Sequence, residues 1–316
     1  MPTPIKGIHH ITAVSGPPEE NVRFYNADLG LRFTKKTVNF DDPFTYHLYY
    51  GNEGAEPGSS ITFFPWQHVV QGAPSVGEAT EVSYSVPSDS LDAWNERLQE
   101  RGLKPGKVEQ RFGLSELTLK DRDGMTIRLI EDPEAESMQT KGYGGLADDI
   151  AIRGFFSARL SLSHIGPTAE LMEEFGWKRS AEESGLVRYE SAPENRLGRF
   201  VDLVEEPSLQ GRFGRGSIHH IAFRVESEEV QQEWREHLLK AGLDVSPVRD
   251  RVYFRSIYFR EPGGILFELA TDGPGFTVDE PMEDLGRELR LPPWYESHRE
   301  QIESKLPNLN IDRSDS

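Results

Sequence analysis

The segments Gly7-Ile-His-His-Ile-Thr-Ala-Val14 and Ser217-Ile-His-His-Ile-Ala-Phe-Arg-Val225 carry one pattern at two places about 210 residues apart. Such self-similarity marks a repeat architecture, in which each unit is one supersecondary element. Each copy is followed by an acidic helix start and an amphipathic helix. In the second copy the helix spans Glu228–Ala241, with Val230, Trp234, Leu238 and Leu239 at helical spacing and Gly242 as a stop. In the first, Val22, Tyr25 and Leu29 precede Gly30. Short alternating strands with Gly, Asp or Pro turns follow both. The same βαβββ rhythm recurs in Thr80–Val86, a helix around Leu91–Arg101 and Glu116–Glu131. It recurs again in Phe155–Ser163, a helix around Thr168–Phe175 and Leu186–Glu205. The expected fold is therefore α+β, with four βαβββ modules in two paired domains. Chain order groups them as residues 1–140 and 150–275, joined by the Glu-, Gly- and Ser-rich stretch Asp132–Asp149. Residues 276–316 read as a C-terminal helical tail, with Pro292-Pro-Trp294 and a charged helix near Tyr295–Leu306 that packs on one domain.

A chain of 316 residues suits two cores better than one. No apolar run approaches the roughly 20 residues that cross a bilayer. The N-terminus lacks the basic and apolar regions of an export signal, so a cytoplasmic location is expected. There is no cysteine, which excludes disulfides, zinc–thiolate sites, iron–sulfur clusters and thiol nucleophiles together. A formal charge of −18 argues against nucleic-acid and anionic-membrane partners, which need a basic face.

Strand parity selects candidate metal ligands, because side chains alternate across a strand. In the last module His219, Ile221, Phe223 and Val225 form an apolar set that belongs beneath the helix. His220, Ala222 and Arg224 take the open face. In the first module the same split opposes His9, Ile11 and Ala13 to His10, Thr12 and Val14. His10 and His220 are thus the pair expected to share a concave face. The hairpin Ser256–Glu268 turns at Pro262, with Ile265, Phe267 and Leu269 toward the core. That leaves Glu268 on the other face, with Tyr258 beside it if the hairpin is symmetric. A mid-strand carboxylate among apolar residues is costly to bury unless a positive partner neutralises it, and a metal is the natural one. A lone strand histidine is usually a hydrogen-bonded core residue. Two HHI segments at one point of two repeats, with Glu268 on a nearby strand, favour ligation by His10, His220 and Glu268. His9 and His219 read first as structural, with orientation of the ligands or substrate as the alternative. Tyr258 divides evenly between core aromatic and active-site donor, and Arg251, near a turn, is the weakest candidate.

Paired βαβββ modules curled around a metal are the architecture of the vicinal-oxygen-chelate superfamily. The run Leu29–Pro43, then Tyr46-His-Leu-Tyr-Tyr-Gly51 and Pro57-Gly-Ser-Ser-Ile-Thr-Phe-Phe64, resembles bacterial ring-cleaving dioxygenases related to the hydroquinone dioxygenases. The resemblance spans essentially the whole chain. It implies Fe(II) on His10, His220 and Glu268, with His9, His219, Arg251 and Tyr258 around them. Where Glu268 stands, the second module has Arg128 and the third Asp202. An Arg159–Asp202 ion pair is expected there in place of a second metal site.

Two imidazoles and one carboxylate leave open positions on a six-coordinate metal, the pattern of non-haem Fe(II) oxygenases; Mn(II) fits as well. The resemblance implies an aromatic diol and O₂ as partners. Tyr258 or Arg251 would hold developing negative charge and His219 would carry a proton. One rival is a glyoxalase-like lyase or isomerase on the same fold, which takes a fourth protein ligand. The strand Ser59–Phe64 has no Glu to supply it. The other is a metal-free binding protein of the bleomycin-resistance type, which lacks the three ligands. A homodimer is left open.

Overall fold

The computed structural model describes residues 2–192 and 194–309. It has the α+β architecture of four modules expected from the sequence. The first module consists of β1 (Ile8–Ser15), α1 (Pro18–Val22), β2 (Arg32–Asn39), β3 (Asp42–Gly51) and β4 (Ser60–Pro65). The second is β5 (Glu78–Val86), α2 (Leu91–Glu100), β6 (Val108–Arg111), β7 (Leu114–Lys120) and β8 (Thr126–Glu131). The third is β9 (Gly154–Leu162), α3 (Gly166–Glu174), β10 (Lys178–Glu183), β11 (Leu186–Glu190) and β12 (Phe200–Glu205). The fourth is β13 (Ile218–Val225), α4 (Glu228–Lys240), β14 (Arg249–Asp250), β15 (Arg255–Arg260) and β16 (Leu266–Thr271).

Two eight-stranded sheets result, ordered β14-β15-β16-β13-β1-β4-β3-β2 and β10-β11-β12-β9-β5-β8-β7-β6. Each sheet joins one module from each half of the chain, the outermost pair in one and the innermost pair in the other. Chain order had grouped neighbouring modules instead. The physical link is the antiparallel pairing of β1 with β13, the two HHI strands, and of β5 with β9.

Helices cover one face of each sheet. Ser227 caps α4, its side chain accepting the Val230 N–H at 3.3 Å, and Glu228 and Glu229 complement the helix N-terminus. The helix then buries Val230, Trp234 and Leu238 against β13, β15 and β16. Ile221, Phe223, Phe267 and Leu269 meet it from the sheet, all fully buried. The first module departs from the expected single helix: α1 ends at Val22, and Arg23–Asp28 continues as a π-helix that buries Phe24 and Tyr25. Among its described residues the tail is helical only in short pieces, 3₁₀ turns at Phe276–Val278, Met282–Asp284 and Glu296–His298 and α5 (Arg299–Glu303). It packs on the first module, where the Tyr46 hydroxyl donates to the Pro307 carbonyl and Arg290 N–H to the Lys36 carbonyl. Among the described residues no helix is long and apolar enough to cross a membrane.

Candidate metal centre

The convergence of the two HHI strands brings His10 and His220 onto the concave face of the outer sheet. Their Nε2 atoms lie 3.4 Å apart. Glu268 enters from β16, its Oε2 3.0 Å from His220 Nε2 and 3.4 Å from His10 Nε2. Ligand atoms of all three lie within 4.8 Å of one another, and all three residues are buried. Ser256 donates its hydroxyl to Glu268 Oε1 at 2.5 Å, but Oε2 has no hydrogen-bond partner. Burial alone would raise the Glu268 pKa; the two imidazoles outweigh it and hold the carboxyl well below its usual range. Burial lowers the pKa of His220, against the pull of Glu268.

His9 and His219 depart from simple parity. The β1–β13 register shifts between Ile8 and His10, and again between Thr12 and Ala13, opposite His219. Each first histidine is thus the extra residue of a β-bulge, which re-aims its side chain. The result is a pair of matched contacts: Nδ1 of His9 lies 2.9 Å from Nδ1 of His10, and Nδ1 of His219 lies 2.8 Å from Nδ1 of His220. His219, which parity groups with the core set and for which orienting a ligand or substrate is the alternative, lines the cavity, edge-on to Phe64 and Trp66. Burial first, then the neighbouring imidazole, lowers both His9 and His219 to about 3, so both are neutral. With Nδ1 of His9 and of His219 as the acceptor, His10 and His220 would carry the Nδ1 proton and turn Nε2 lone pairs inward; the reverse tautomers would instead donate Nε2–H to Glu268.

A cavity of about 390 Å³ opens above these groups. Phe40, Phe64, Trp66, Phe254 and Leu266 give it apolar walls. Tyr258 lies opposite Glu268 in the β15–β16 register and lines the cavity. Arg251 donates Nε–H to its hydroxyl at 3.0 Å and reaches Asp41 at 3.0 Å. Burial opposes the Arg251 charge, yet Tyr258 and Asp41 outweigh it and raise its pKa. Tyr258 is itself raised, by burial and then by Glu268, so it stays protonated.

Sequence reasoning missed His47 and Tyr49, which form the facing wall. The Tyr49 hydroxyl lies 2.9 Å from His47 Nδ1, and His47 Nε2 lies 2.8 Å from the Thr62 hydroxyl. The signal was present in the register. Tyr49 is opposite Thr62 on β3–β4 as Tyr258 is opposite Glu268 on β15–β16.

The inner sheet has no such cluster among its described residues. Arg128 bridges Glu81 at 2.6 Å and Glu116 at 2.5 Å. The expected Arg159–Asp202 pair does not form. Arg188, directly across from Asp202 on β11, takes that carboxylate in two bonds of 2.7 and 2.8 Å. Arg159 turns to Glu206 at 2.8 Å. A forked guanidinium opposite a carboxylate in an antiparallel pair has the better geometry.

The profile of the Glyoxalase/Bleomycin resistance protein/Dioxygenase superfamily matches residues 7–129 and 163–269. The chain belongs to that superfamily. Within it, MhqO of Bacillus subtilis, provisionally named a ring-cleaving dioxygenase, is 46% identical over 95% of each chain. The chlorohydroquinone/hydroquinone 1,2-dioxygenase of Sphingobium indicum is 32% identical over 96% of each. A crystal structure of a Bacillus subtilis protein provisionally titled a dioxygenase superposes with a TM-score of 0.93 at 43% identity. It covers 98% of this chain and 99% of that one. In superfamily terms, the outer sheet carries a His–His–Glu cluster that could hold a metal, and the inner sheet carries ion pairs at the matching places.

Proposed function

We propose that the protein is an Fe(II)-dependent dioxygenase that cleaves the ring of a hydroquinone- or catechol-type diol with O₂. The observation that carries this reading is the buried Glu268 Oε2, unpartnered by hydrogen bonds and facing two imidazole Nε2 atoms. A carboxylate in that setting calls for a cation, and two neutral imidazoles with one carboxylate suit Fe(II), or Mn(II). Bound Fe(II) would supply the redox coupling between an electron-rich ring and dioxygen. His9 and His219 fix the tautomers of His10 and His220 so that both Nε2 atoms face the ion.

The rest follows from groups around the cavity. Apolar walls fit a single aromatic ring. Tyr258 receives the Arg251 N–H, so its own proton is free to stabilise a phenolate or a developing anion. His219, which lines the cavity, is placed to pass a proton. A glyoxalase-type reaction would want a fourth protein ligand from β4, where Thr62 stands. A metal-free binding protein would have no use for two imidazole nitrogens and a carboxylate oxygen converging within 4.8 Å of one another in a buried place.

Anaerobic loading with Fe(II), metal analysis and an oxygen electrode test the reading. The expected result is one iron per chain and one O₂ consumed per diol opened. No oxygen uptake with any hydroquinone or catechol, together with isomerisation of a glutathione hemithioacetal under Ni(II) or Zn(II), would overturn it.

A further inference from the structure

Tyr49 and Tyr258 hold equivalent register positions, yet their hydroxyls are wired differently. Tyr258 accepts from Arg251, and a guanidinium has no acceptor, so the Tyr258 proton is left free to donate toward the cavity. Tyr49 ends a chain of groups that can each donate or accept. Its hydroxyl lies 2.9 Å from His47 Nδ1, His47 Nε2 lies 2.8 Å from Thr62 Oγ1, and Thr62 Oγ1 lies 2.8 Å from Thr12 Oγ1. A neutral imidazole has one donor and one acceptor, so this chain has two polarities. When Thr12 donates to Thr62, Thr62 to His47 and His47 to Tyr49, the Tyr49 O–H points outward. When the direction reverses, Tyr49 donates to His47 and its oxygen accepts from the cavity. Burial keeps His47 neutral and Tyr49 protonated, so the choice is one of polarity and not of charge.

We propose that Tyr49, its polarity set through His47, recognises the second, un-ionised hydroxyl of an aromatic diol whose other oxygen is held as the anion beside Tyr258. This rests on the dioxygenase reading of the same cavity. A ring hydroxyl donates to the Tyr49 oxygen while Tyr49 donates to His47, so the ring proton and the Tyr49 proton both have acceptors. A methyl ether in that place has no proton to give. The chain would have to reverse and seat a methyl group against a polar wall. Tyr49 is thus a specificity-determining residue and His47 its positioning residue.

The test uses the full chain loaded with Fe(II) under anaerobic conditions. Calorimetry compares hydroquinone and catechol with their monomethyl ethers. Wild type should prefer the better-binding diol over its ether about tenfold, the worth of one hydrogen bond of about 1.4 kcal/mol. Tyr49→Phe keeps the ring contacts with Tyr253 and Phe276. It should bring that ratio within about threefold of unity while ether affinity is retained. His47→Leu should lower the ratio in parallel, whereas Tyr258→Phe should weaken both ligands and keep it. A Tyr49→Phe protein that still prefers the diol tenfold overturns the inference alone. A wild-type protein that binds no diol overturns the dioxygenase reading, and this inference with it.

Discussion

Thr62 occupies on β4 the register place that Glu268 occupies on β16. Thr12, two residues after His10, pairs with Thr62; Ala222, two residues after His220, pairs with Glu268. One half of the sheet therefore offers a carboxylate to the centre and the other a hydroxyl, already engaged by Thr12 and His47. Thr62→Glu should create a four-ligand site. Divalent-metal affinity should rise by about tenfold or more, and oxygen uptake with diols should fall by at least that factor, because one position open to substrate is lost. Metal titration and an oxygen electrode on the same preparation check both. Unchanged turnover would place Thr62 away from the coordination sphere.

If His10, His220 and Glu268 hold a metal as proposed, His9 and His219 would act on it through His10 and His220. Removing such a partner typically lowers metal affinity or activity by about 10–100-fold. His219→Ala and His9→Ala should each fall in that range in competitive chelator titrations, while the far-ultraviolet circular dichroism stays that of wild type. Loss of folded structure would instead assign the histidines to the core.

Tyr258→Phe removes one hydroxyl and leaves the three ligand side chains in place. Iron content should be unchanged, and turnover should slow by on the order of 10²–10³ where chemistry limits the rate. Arg251→Met should slow it too, since the Tyr258 hydroxyl loses the donor that fixes its orientation. Pre-steady-state traces separate the chemical step from product release.

Lys35 is fully buried and reaches out of the sheet to the tail. Its ammonium meets Asp279 at 2.7 Å, the buried Glu280 carboxylate and the Phe276 carbonyl at 3.1 Å, and lies 4.9 Å from the Tyr253 ring. Breaking a buried pair from one side commonly destabilises by about 3–5 kcal/mol. Lys35→Met should lose a comparable amount in urea denaturation, with partial release of residues 276–309 to limited proteolysis. The double variant with Glu280→Gln should recover part of it.

The sequence determined whatever depends on neighbours along the strand. The repeated HHI, the helix beneath Trp234 and the symmetric hairpin that sets Tyr258 opposite Glu268 are all local patterns, since alternation and helical period act over a few residues. They suffice to select His10, His220 and Glu268 as the residues that converge. Tertiary structure decided what depends on pairing between distant strands. The outer modules share one sheet because β1 pairs with β13; the repeated HHI already sets His10 and His220 on one face between the first and fourth modules, but not the strand pairing or its register. That pairing also sets the bulges that turn His9 and His219 onto their partners, where uniform alternation would have sent them to the opposite face. His47 and Tyr49 carry no motif. They became visible only when β3 paired with β4 in the way that β15 pairs with β16, and in the other sheet Asp202, flanked in register by both Arg188 and Arg159, bonds to Arg188. Local backbone geometry fixes which face a side chain takes; only the long-range register fixes what it meets there.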